Sequence, residues 1–93
     1  MKFLGHIVEK FIFPNRGIVI ILDIAYASEH EGICPNMLEF HKNGAFVCQS
    51  RALGIERQVN PFNDVRPLII CVEKQNLPND QIATGHEVWQ VES

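Results

Sequence analysis

Several kinds of segment are missing from this chain, and each absence narrows what it can be. No stretch carries the spacing of an amphipathic helix, and no apolar run approaches the roughly 18 residues that a membrane-spanning helix needs. Cysteine is scarce: Cys34, Cys48 and Cys71 form an odd, widely spaced set, the pattern of reduced thiols and not of a disulfide framework. Lys and Arg are nowhere concentrated. With 8 basic and 11 acidic residues and a net charge of -3, a free-standing nucleic-acid binder is disfavoured, although Arg16, Arg51, Arg57 and Arg66 could form a local basic patch. There is no internal repeat, no low-complexity segment and no Gly-x-x-x-x-Gly-Lys-Ser/Thr loop to cradle a nucleotide. At the N-terminus, His6 and Glu9 interrupt any signal-peptide core, so a cytoplasmic location is expected.

What is present reads as strands. The 93 residues, 46% hydrophobic and 20% charged, suit one small folded domain. Residues 5–13 alternate imperfectly, with Ile7, Phe11 and Phe13 on one parity, as a strand near a sheet rim would. Pro14-Asn15-Arg16-Gly17 is a turn, because Pro fixes φ while Asn and Gly tolerate positive φ. Residues 17–27 follow as a β-branched run (Ile18, Val19, Ile20, Ile21, Ile24), which suits a strand covered on both faces or bent around a barrel corner.

Residues 28–36 are polar and are expected as an exposed loop with a tight turn at Pro35-Asn36. Residues 37–42 alternate cleanly, Asn43-Gly44 signals a type I′ hairpin, and the returning strand spans 45–56 with Gly54 as a candidate bulge. A second polar loop covers 58–64. Residues 67–73 form the most apolar strand, expected at the centre of the core. Asn76-Leu77-Pro78-Asn79-Asp80 should open one short helical turn ending near Gly85. Residues 86–91 close the chain as a last strand, with Trp89 expected to plug one end of the core. Two long apolar strands without a helix to cover them are best buried by closing the sheet on itself, which also removes exposed edges.

In this order the motifs resemble the second domain of translation GTPases such as elongation factor Tu. The run Val8-Glu9-Lys10-Phe11-Ile12-Phe13-Pro14-Asn15-Arg16-Gly17-Ile18-Val19 is similar to that domain's opening strand, Pro-Gly-Arg-Gly turn and β-branched strand. Residues 32–40 stand where the family has a Gly-started hairpin, and Gly54-Ile55-Glu56 where it has a Gly-hydrophobic-Glu strand end. Residues 65–71 and 82–85 resemble its apolar strand and the short turn before its final strand. The resemblance spans nearly the whole chain and implies a closed, six- to seven-stranded Greek-key β-barrel, here as a stand-alone domain. In tRNA-carrying members that barrel helps hold the aminoacyl end. Phe11 and Glu56 match that pocket in type, whereas Val8, Asn15, Ile21 and Asp64 differ from it.

The expected function is accordingly a non-enzymatic binding module without a cofactor. Its partner would be a protein, with the translation apparatus as the implied setting, or an RNA end. One version is an immunity or regulatory protein that mimics the family's barrel. The candidate recognition surface is Glu9, Phe11, Arg16, Glu56, Arg57, Phe62, Asp64 and Arg66, at one end of the barrel. Phe62 between Pro61 and Asn63 reads either as a binding anchor or as a residue folded back to cap the barrel. Two readings compete. Glu29, His30, Glu31 and Cys34 place metal-ligand types in one loop, for a small metal protein or enzyme using residues 28–34, but a closed site needs four converging ligands. A Cys-His nucleophile would need an exposed, acidified thiol, whereas Cys48 and Cys71 are expected to face the core and Cys34 has only His30 nearby. The other competing reading is a structural subunit that dimerises through an edge or rim.

Overall fold

The computed structural model describes residues 1–56, 66–74 and 81–91. Six strands account for most of them: β1 (Lys2–Phe13), β2 (Gly17–Ala25), β3 (Asn36–Lys42), β4 (Ala45–Glu56), β5 (Pro67–Val72) and β6 (Glu87–Gln90). They form one antiparallel sheet in the order β1-β2-β5-β4-β3-β6, and β6 pairs back with β1, so the sheet closes in a ring. Among the described residues no helix is long and apolar enough to cross a membrane.

The tight turns follow from local chemistry. Arg16 N–H donates to the Phe13 carbonyl at 3.0 Å across the first turn. Asn43 and Gly44 take φ of 52° and 81°, the positive pair that a two-residue hairpin requires. Inside the ring, Ile18, Ile20 and Leu22 of β2, Leu38 and Phe40 of β3, and Leu68, Ile70 and Val72 of β5 make the core with Leu4, Ile7 and Val88. The strand over 67–73 is thus central, as its composition predicts.

Register shifts decide which side chains face inward. They fall between Phe3 and Gly5, Ile7 and Glu9, Ile21 and Ala25, Phe40 and His41, and Ala52 and Gly54. A bulge adds one residue to one strand and reverses the parity of all that follow. Ile7 is therefore buried at 1% exposure, whereas Phe11 at 47% and Phe13 at 43% lie outside, although unbroken alternation places all three on one face.

The segment expected as an exposed loop is instead a short 3-10 helix, η1 (Ser28–Ile33), with His30 and Ile33 buried. The His30 ring turns back so that Ala27 N–H donates to its Nδ1 at 2.9 Å, and His30 N–H donates to the Ala27 carbonyl. Ile33 joins the core. A polar composition concealed this, because one apolar residue and one internally bonded imidazole are enough to draw the segment inward. Trp89 does not plug the core: Val88 occupies that position, and alternation turns Trp89 to the outer face against Phe3. The helical turn expected from Asn76 lies largely outside the described residues.

Candidate functional site

β2 and β5 run side by side with Val19 opposite Cys71 and Ile21 opposite Ile69. On both strands the alternate residues fill the core, so Val19, Ile21 and Ile69 face the outside of the ring. The run over 17–27, read as covered on both faces or bent around a barrel corner, and the run over 67–73, read as central, therefore have an outer face of their own. It is the floor of a groove of about 360 Å³, within the size range of small-ligand sites.

Phe11 and Phe13 of β1, together with Arg16 of the turn and Glu56 at the end of β4, complete its lining. The register accounts for the assembly, since Phe11 is opposite Val19 in β1–β2 and Glu56 is opposite Ile69 in β4–β5. Apolar floor, two aromatic rings, one cation and one anion give the groove the parts to hold an apolar group and orient its polar ends.

Of the eight residues expected to form a recognition surface, Phe11, Arg16 and Glu56 line this groove. Glu9 stands beside it, opposite Ile21. Arg66 is elsewhere. Its carbonyl accepts from Tyr26 N–H at the Pro67 end of β5, whereas the Arg16 turn lies by the Val72 end, about 17 Å away along the strand. Arg57, Phe62 and Asp64 lie outside the described residues. Sequence reading missed Phe13, Val19 and Ile69; the signal for Val19 and Ile69 was the absence of alternation in the two apolar runs, and Phe13 is turned out by the β1 register shift.

Cys71 is half-buried on the outer face, not in the core, and its Sγ lies 3.8 Å from the Arg16 carbonyl. Burial pushes its thiol upward, the Glu56 carboxylate adds to this, and the Arg16 guanidinium opposes both. Burial likewise raises Cys48 and Cys34. All three thiols are thereby held away from the thiolate form that a nucleophile needs.

The metal-ligand types of residues 28–34 do not converge. His30 is buried with Nδ1 accepting from Ala27, Glu31 accepts from the Tyr26 hydroxyl at 2.8 Å, and Glu29 is exposed. Among the described residues no group of three or more His, Cys, Asp or Glu side chains could hold a metal ion. Compared with known proteins, the chain matches no family model, no curated sequence and no solved structure.

Proposed function

We propose that this chain acts by binding, without chemistry of its own, and that the groove between β1, β2, β5 and the end of β4 is where its ligand sits. The fold behind this reading is a Greek-key barrel of the kind found as the second domain of translation GTPases. The ligand is a protein segment, or an RNA end, from the translation apparatus. A stand-alone barrel of this type would compete with the full-length factor for that shared ligand, as a regulatory or immunity protein does.

One observation carries the reading. Phe11 and Glu56, the two residues that match the family's pocket in type, line a single groove together with Arg16, on a floor contributed by two other strands. An exposed aromatic beside Arg and an apolar depression is the composition of a binding anchor.

Affinity capture tests it, with the wild-type chain and the Phe11→Ala and Glu56→Ala variants compared side by side. Translation proteins or RNA should be retained by the wild type and released by both variants. Retention of neither class, or equal retention by all three chains, sinks the proposal.

A further inference from the structure

The far side of the ring carries a second surface, unrelated to the groove. Across β1, β6, β3 and β4 two rows of outward residues stand side by side, and Met37 opposite the exposed Arg51 is the next step beyond Glu39 and Gln49. One runs Phe3, Trp89, Glu39, Gln49. The other runs His6, Glu87, His41, Phe46. Five of these eight positions are aromatic rings, two are carboxylates, and none is Lys or Arg.

The rings form a continuous path. His6 meets Phe3 at 5.3 Å between centroids, Phe3 meets Trp89 at 5.0 Å, Trp89 meets His41 at 5.9 Å, and His41 meets Phe46 at 5.9 Å. Carboxylates border it along its length. Asp23 lies 3.2 Å from His6 Nδ1, and Glu39 lies 3.0 Å from His41 Nε2. Glu87, between the two histidines in register, accepts from Gly44 N–H with one oxygen. The path is open at its ends, with the His6 side chain at 49% and Phe46 at 57% exposure.

Aromatic faces attract cations through the ring quadrupole, and nearby carboxylates reinforce that attraction. A row of rings edged with acid therefore suits a cationic side chain lying on it. Arginine suits it better than lysine, because a planar guanidinium stacks on a ring while its edge forks to a carboxylate. The indole N–H of Trp89 is enclosed and has no acceptor. Buried indole N–H groups ordinarily find one, and a peptide carbonyl arriving with the cation would provide it once the neighbouring rings part.

We infer that this face docks an arginine-bearing extended segment of a partner protein, with guanidinium groups stacked on Phe3, Trp89 and Phe46 and paired to Glu39 and Glu87. Being on the other side of the ring, it operates whether or not the groove does.

Trp89 is the chain's single tryptophan, so its fluorescence reports this face alone. The probe is a capped hexapeptide with two arginines, titrated into the intact chain, with the same peptide bearing citrulline as the neutral control. A saturable change in Trp89 emission is expected with the arginine peptide, and at least about three- to five-fold weaker binding with the citrulline form. The Glu39→Gln variant, changed at a half-buried carboxylate beside His41, and the Phe46→Ala variant, changed at an exposed ring, should each weaken the arginine peptide by a similar factor, while Phe11→Ala in the groove leaves it unchanged. An emission change of equal affinity for both peptides, the absence of a saturable change, or full affinity in both the Glu39→Gln and Phe46→Ala variants would overturn the inference.

Discussion

The carboxylate of Asp23 on β2 receives the backbone N–H of His6 on β1 at 2.8 Å, while its other oxygen lies 3.2 Å from the His6 ring. His6 follows Gly5, where the β1–β6 register shifts and the backbone is at a φ of +152°. The side chain thus does for the irregular strand what a ladder carbonyl does elsewhere. The N–H bond holds Asp23 below the usual carboxylate range, against a smaller opposing push from burial and with a further contribution from the His6 ring.

Asp23→Ala should therefore destabilise the chain by about 1 kcal/mol near neutral pH, a modest figure because the carboxylate is substantially exposed. The sign of the pH dependence is set by the lowered value. Asp23 contributes its full stability above the unfolded carboxylate value, near 3.8, and loses it as pH falls through the lower folded value. Denaturant melts of wild type and Asp23→Ala should differ at pH 6, and the gap should narrow as pH falls below 3.8 toward the lowered folded value. A gap that persists in acid would remove the ionised carboxylate from this account.

Gly17, the first residue of β2, has a φ of +126°, and a Cβ there would be driven into the Val72 carbonyl of β5. Both strain and overlap oppose a side chain, so Gly17→Ala should cost about 2–3 kcal/mol and lower the thermal midpoint clearly. Gly44→Ala, where a Cβ meets nothing within 4 Å, carries only the conformational penalty and should cost less.

Ser50 is completely buried on β4, and its hydroxyl donates to the Glu73 carbonyl just past β5 at 2.6 Å. Ser50→Ala removes that donor and leaves a carbonyl without its partner, an expected loss of about 1–2 kcal/mol measured by equilibrium unfolding. Ser50→Val would remove the same bond and add volume inside the ring, so it should be at least as damaging.

Two phenylalanines provide a direct check on the bulge in β1. Phe40 is fully buried and Phe11 is nearly half exposed. Phe40→Ala should cost about 3–5 kcal/mol, whereas Phe11→Ala should change stability by no more than about 0.5 kcal/mol. If Phe11→Ala proved as damaging as Phe40→Ala, Phe11 would belong to the core and the groove would lose one wall.

Much of the strand framework is legible in the amino-acid order. Asn43-Gly44 and Pro14-Asn15-Arg16-Gly17 are turns because of what each residue's backbone tolerates, and the apolar density of Leu68, Ile69, Ile70, Cys71 and Val72 marks a core strand wherever it pairs. Phe11, Arg16 and Glu56 are recognisable as candidates by residue type and motif. That Arg66 stands at the opposite end of β5 is not recognisable, because its position depends on the antiparallel pairing with β2.

Local chemistry alone determined where the chain extends, where it turns and which segments are apolar enough to be buried, since each of these depends on neighbours a few residues away. Sidedness was decided only by the tertiary structure. Bulges at Val8 and near Gly5, Val47 and Leu53 are set by how distant strands must tilt to close the ring. They put Phe11 and Phe13 outside, and they bring residues far apart in the chain onto one surface.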